Sequence, residues 1–246
     1  MNTGRTLAIA MAGLLILVPA PTPADDGPAP FEPTDRYESR SVEGWTVLVN
    51  RRFLADRPEL ADRTLTLLRS QLYQVARRLP SRAVDRLRAI RIWVEEDEPH
   101  HPCMAYHPGA GWLREHGMNP DKARSVEIAD ARNFLSWTII QPWMVLHELA
   151  HGYHDQDLDA GHDNPEVRAA FDRATRAGLY DSVLRADGTM GRAYAATNPM
   201  EFFAEATEAY FGTNDFFPFV RPELQRHDPA TFALLEKLWG APDAAR

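Results

Sequence analysis

Two histidines four residues apart, with a glutamate directly after the first, are a pattern that can bind a metal and activate water. His147-Glu148-Leu149-Ala150-His151 has this form. On an α-helix, residues i and i+4 lie above one another on one face, so both imidazoles can reach one ion. Glu148 projects from the neighbouring edge of that face, where its carboxylate can take a proton from the attacking water instead of binding the metal. The chemistry is hydrolysis with zinc as cofactor, and the spacing is the one zinc peptidases use. The competing reading is an amphipathic helix carrying two solvated histidines. Trp143, Met144, Val145 and Leu146 lead in, however, and Leu149 and Ala150 sit inside the motif. A helix this apolar is buried over most of its circumference, and two bare imidazoles there need partners.

A catalytic zinc takes three protein ligands and keeps a fourth position open, so one ligand must come from elsewhere. The near candidate is Asp157, ten residues after His147. Zinc proteases with that spacing place a glycine where this chain has His154, because the backbone turns sharply there. The far candidate lies in Asn198-Pro199-Met200-Glu201-Phe202-Phe203-Ala204-Glu205-Ala206. Glu201 and Glu205 are again i and i+4, so their carboxylates face the same way. In such a pair one carboxylate can bind zinc while the other accepts a hydrogen bond from the far nitrogen of a ligand histidine. Glu201 is also the N3 residue of an asparagine-capped helix and could complete a capping box, while Glu205 and Glu208 could be solvated surface charges. The ligand that the upstream histidines lack favours Glu201.

The two segments together carry a resemblance. The HELAH motif, followed by Tyr194, six intervening residues and Glu201-Phe202-Phe203-Ala204-Glu205-Ala206, resembles the catalytic domain of anthrax lethal factor and its bacterial relatives among the gluzincin-type zinc peptidases. The match covers the motif helix and the Tyr194 to Ala206 segment, a minority of the chain. It implies an α+β, zincin-like domain in which a small mixed sheet packs on the HExxH helix and the C-terminal half is helical. It also implies zinc held by His147, His151 and Glu201, with Glu148 as general base, Tyr194 at the reacting carbonyl and Glu205 in support. Tyr194 has the plain alternative of an ordinary core or surface tyrosine. Nothing in the chain resembles receptor-binding or substrate-docking regions, so toxicity and kinase substrates do not carry over.

Elements must bring these residues together. Gly44 to Val49 and Ile90 to Val94 read as strands, as do Met104 to His107 and Ser125 to Ile128. Leu60 to Leu79 has helical spacing and ends at Pro80, and Ala83 to Arg88 adds a further turn. Pro142 suits the first turn of the motif helix, and Gly152 stands where a helix stop would be. Asn164-Pro165 opens a helix closed by Gly178, Asn198-Pro199 one closed by Gly212, and a last helix spans Thr231 to Trp239. Strand Cys103 to His107 could pair with an extended substrate, with Tyr106 and His107 lining the cleft. His154, His162 and His227 read as surface or capping residues.

The remaining bounds are broad. The chain has 246 residues, 44% hydrophobic and 25% charged, as ordinary globular proteins do. A net charge of -8 without a basic run gives no support to nucleic-acid binding. Arg5 and the apolar run Leu7 to Val18 read as a signal peptide over residues 1–24 cleaved after Ala24, directing a secreted or periplasmic protein; an uncleaved N-terminal anchor is the alternative. Residues 25–40 read as a linker and 41–246 as one domain, with no stable membrane insertion expected. Cys103 is the single cysteine, so no intrachain disulfide forms. Beside His100 and His101 it reads as a second metal site, a thiolate blocking the zinc, or a plain buried thiol. The expected partner is a peptide or protein substrate. A zinc hydrolase of a non-peptide amide, such as a cell-wall component, and a non-catalytic zinc-stabilised binding protein stay open.

Overall fold

Alternation along short segments builds the sheet. In the computed structural model, which describes residues 31–240, strands β1 (Tyr37–Val42) and β2 (Trp45–Asn50) form an antiparallel hairpin. Helices α1 (Arg51–Asp56), α2 (Pro58–Arg78) and α3 (Ser81–Leu87) carry the chain to β3 (Ile92–Val94). Strand β4 (Met104–His107), helix α4 (Ala110–Glu115) and strand β5 (Ser125–Ile128) complete the sheet. Its order is β1-β2-β3-β5-β4; β2, β3 and β5 are parallel, and β4 is antiparallel to β5 at the edge.

Successive strand residues point to opposite faces. Val47, Val49, Ile92, Val94, Val126 and Ile128 all point to one face and are fully buried there. Trp93, Ser125, Glu127 and His107 take the other, where the Lys122 ammonium is buried between Glu95 and Glu127 and His107 Nε2 lies 2.7 Å from Glu127. Paired in this way, the buried charges avoid the cost of an isolated ion. His107 therefore turns away from the cleft it was expected to line.

From β5 onward the chain is helical apart from one short hairpin. The helices are α5 (Ala131–Trp137), α6 (Met144–Asp157), α7 (Pro165–Arg176), α8 (Pro199–Phe211), α9 (Arg221–His227) and α10 (Pro229–Trp239). The hairpin is β6 (Val183–Leu184) with β7 (Met190–Gly191). Asparagines at the ends of loops start two of these helices: Asn164 Oδ1 accepts from the amides of Glu166 and Val167, and Asn198 Oδ1 from those of Met200 and Glu201. Each cap satisfies amides that a first turn leaves bare. The architecture is thus α+β, a small mixed sheet with a helical second half. Among the described residues no helix is long and apolar enough to cross a membrane.

Helices α6 and α8 form the centre and pack directly on each other, and α6 also packs beneath β4. Helix α8 is buried from Phe202 through Phe211, its apolar faces against the core and its glutamate face against α6. Small residues Ala204, Ala206 and Ala209 keep it close to its neighbours.

Some sequence expectations need correction. Strand β1 begins at Tyr37, inside the span read as linker, because the buried Tyr37 and Val42 tie it to β2. The leader and its cleavage point lie outside the described residues. Helix α6 starts after Pro142, at Met144, and runs through Gly152 to Asp157. Gly152 serves packing, not termination: a Cβ there would stand 2.6 Å from Ile90 Cδ1 and 3.1 Å from the Tyr106 ring. Both neighbours are buried and cannot withdraw freely. Gly152→Ala is therefore expected to destabilise the fold despite the better helix former, since overpacking costs about 1–3 kcal/mol against a propensity gain of about 1 kcal/mol. Thermal unfolding checks this, each kcal/mol lowering Tm by about 2–4 °C; an unchanged or raised Tm contradicts it.

Candidate metal centre

The crossing of α6 over α8 brings six chemically capable side chains to one place, His147, Glu148 and His151 from one helix and Glu201, Glu205 and Glu208 from the other. His147 Nε2 lies 3.0 Å from Glu201 Oε2, and His151 Nε2 lies 3.3 Å from the same oxygen. These three atoms form a group able to hold a metal ion, all within 4.8 Å of one another. A tetrahedral zinc with bonds of about 2.0–2.1 Å spaces its ligand atoms about 3.3 Å apart. Two imidazole nitrogens and one carboxylate oxygen are also a donor set that zinc accepts. The residues present fit that ion.

Glu201 does not close a capping box, since its carboxylate is turned to the histidines. Burial alone would raise its pKa, but the hydrogen bonds from His147 and His151 outweigh it and hold the carboxyl well below the usual range. On the far side of the His147 ring, Nδ1 lies 2.7 Å from Glu208 Oε1 and 3.9 Å from Glu205 Oε1. The hydrogen bond expected for Glu205 is thus made by Glu208. Glu201, Glu205 and Glu208 are i, i+4 and i+7, so one helix face supplies all three. That spacing is the sequence signal for Glu208, which is a buried partner of His147 and not a surface charge. Both Glu205 and Glu208 are buried, and burial pushes both carboxyls upward; the nearby Glu208 carboxyl raises Glu205 further. Glu205 Oε2 is buried with no hydrogen-bond partner, although the residue reaches the cleft floor.

The cleft measures about 590 Å³. Glu148 lines it beside both histidines, and residues 101–106, the run into and along β4, line it as well. Tyr194, in a short 3₁₀ turn ahead of α8, also lines it; its ring centre is 6.4 Å from that of His147. Burial and the neighbouring Glu201 raise its pKa, so the phenol keeps its proton at neutral pH. Tyr106 lines the cleft as expected, and its hydroxyl donates to Asp155 Oδ2 at 2.6 Å.

Other expectations resolve differently. Asp157 stands at the end of α6 and pairs with Arg86 at 2.8 Å, outside the ligand group. Cys103 is buried in the cleft wall, its Sγ donating to Met144 Sδ at 3.3 Å. Burial and the nearby Glu148 push the thiol up to about 12, so it is not a thiolate at neutral pH. Among the described residues it joins no group able to hold a metal. His162 and His227 point ring nitrogens at backbone carbonyls, those of His151 and Leu179. His154 is no surface residue. It is fully buried beside Phe203 and His162, and neither ring nitrogen has a partner.

No family model matches this sequence, and no curated protein matches it either. Among solved structures, the Pro-Pro endopeptidase PPEP-2 from Paenibacillus alvei is similar, with 16% identity over 81% of this chain and 99% of that chain and a TM-score of 0.44. A likeness at that level leaves the functional assignment to the chain's own residues.

The buried His154 makes a pH test. Burial, with His162 and His151 nearby, lowers its pKa from 6.5 to about 3. An unfolded chain takes up that proton below 6.5 and the folded chain does not until about 3, so stability falls as pH drops through this window. The slope per such group is about 1.4 kcal/mol per pH unit. His154→Leu is expected to flatten the acid limb of urea-unfolding stability against pH. Parallel curves for the two proteins contradict this account.

Proposed function

We propose that the chain is a zinc-dependent peptidase of the gluzincin kind, exported from the cytoplasm and hydrolysing peptide bonds. The observation that carries this reading is the convergence of His147 Nε2, His151 Nε2 and Glu201 Oε2 beside the Glu148 carboxylate in an open cleft. The resemblance of the HELAH and Tyr194 to Ala206 segments to lethal factor and its relatives supports it.

His147, His151 and Glu201 would hold the ion. Zinc in such a site lowers the pKa of water and polarises a carbonyl. Glu148 accepts the proton of the attacking water and returns it to the leaving amine. Tyr194, about half exposed and protonated, donates a hydrogen bond to the oxygen that gains charge as the carbonyl is attacked. Glu208 is a positioning residue: its hydrogen bond to Nδ1 fixes the tautomer of His147 that leaves Nε2 free to bind. Among the described residues strand β4 pairs on one side, with β5, and its Met104, Ala105 and Tyr106 line the cleft. An extended peptide can add there as a further strand, which favours a peptide over a non-peptide amide as substrate.

Zinc titration separates the ligands. Glu201→Ala is expected to abolish tight binding, and Glu208→Ala to weaken it about 10–100-fold. Asp157→Ala should leave it unchanged; loss of zinc there with retention in Glu201→Ala would assign the third ligand to Asp157. For the chemistry, Glu148→Gln should keep its zinc yet lose at least about a hundredfold in kcat on a peptide pool. Normal cleavage by that variant refutes the assignment of the general base.

A further inference from the structure

Exposed large apolar side chains are not spread evenly over this molecule. Ile139 is 80% exposed, Ile140 62% and Met190 63%, with Leu184 and Trp137 partly exposed. Hydrogen bonds and strand pairing hold the segments that carry them beside one another. Gln141, next to Ile140, donates to Asp215 Oδ2 at 3.4 Å, and the Ala186 amide donates to the Asp215 carbonyl at 2.8 Å. The Phe217 amide donates to the Leu184 carbonyl at 2.8 Å, and Phe216 bridges to Arg185 in the β6–β7 hairpin. Trp137, Gln141, Asp215 and Phe216 also line the cleft. These segments are therefore one bank of the candidate site, continuing outward from it.

A contiguous apolar patch that runs into a cleft marks a recognition surface. Its occupant is bounded by charge. Glu148, Glu201, Glu205, Glu208 and Asp215 line the cleft, and among the described residues no lysine or arginine does. The chain as a whole carries -8. Neither the two charges of a bound zinc nor Arg185, over the Phe216 ring, offsets that total, so acidic peptides and anionic lipid surfaces are disfavoured. The unpaired edge of β4 in the same cleft fits an extended backbone.

We propose that Trp137, Ile139, Ile140, Phe216, Leu184 and Met190 form the docking surface for an apolar, non-acidic stretch of the peptide substrate, held alongside the bond to be cut. This rests on the peptidase reading and names its substrate class. The surface binds by burying side chains, so it acts whether or not cleavage follows.

The test uses the zinc-loaded Glu148→Gln protein and two labelled peptides of equal length, one with leucine, isoleucine and phenylalanine flanking its centre and one with serine at those positions. The apolar peptide should bind at least about tenfold tighter. Adding Ile139→Ser, Ile140→Ser and Met190→Ser, all at exposed positions and so compatible with folding, should remove that preference. Tyr73→Ser, an exposed apolar residue on α2 away from the cleft, should leave it intact. Equal binding of the two peptides, or a preference that survives the triple substitution, overturns the proposal. So does a protein that shows no peptide preference but sediments with phosphatidylcholine vesicles through the same residues. Cleavage by the wild-type protein is read separately: binding preference without any cleavage leaves the docking surface standing and removes the peptidase. Glu148-dependent cleavage without preference does the reverse.

Discussion

The imidazole of His147 is gripped on both ring nitrogens by carboxylates of a second helix, Glu201 toward Nε2 and Glu208 toward Nδ1. These two glutamates are seven residues apart, about 10 Å along the axis of α8. The grip therefore sets both the distance between α6 and α8 and their rotation about their own axes. A histidine without the second helix would be an exposed or unpaired base. With it, Nε2 is aimed at the same point as His151 Nε2 and Glu201 Oε2.

That constraint explains why the fold surrounds these helices so completely. Carboxylates and imidazoles buried in apolar surroundings are costly unless each finds a partner. Phe203 and Trp239 stack at a ring-centre distance of 5.7 Å, and Trp239 Nε1 donates to Thr207 on α8. Gly212 fits its end of α8 against Trp143, whose ring lies 2.2 Å from where a Cβ would be. Packing of this density holds the two polar faces in register while leaving Glu148, on the outer edge of α6, in contact with the cleft. The sheet contributes a rigid edge. Strand β4 is fixed by β5 along one edge and by the Tyr106 side chain packed over Gly152 of α6.

Much of this was legible in the residues. HELAH placed two imidazoles and a carboxylate on one helix, and asparagine-proline pairs marked the starts of α7 and α8 because their caps work locally. Strands β3, β4 and β5 were visible through alternation. What escaped was decided at long range. Gly152 looked like a stop, yet only its tertiary neighbours Ile90 and Tyr106 reveal it as a point of close approach. His154 looked polar and exposed, but α8 and the loop carrying His162 cover it. The choice of Glu208 over Glu205 depends on the crossing of two helices, which spacing along one of them cannot supply. Strand β1 carries three exposed residues and so lacked an apolar pattern; its pairing with β2 defines it.

A zinc ion held by His147, His151 and Glu201 has no sulfur among its ligands. X-ray absorption at the zinc edge of the metal-loaded protein tests this most directly. Nitrogen and oxygen scatterers at about 2.0–2.1 Å are expected, with the outer-shell scattering of two imidazoles, and no such ordered shell in Glu201→Ala, which no longer binds zinc tightly. A sulfur scatterer at about 2.3 Å, which only Cys103 or a methionine could supply, or an unchanged shell in Glu201→Ala, would contradict it.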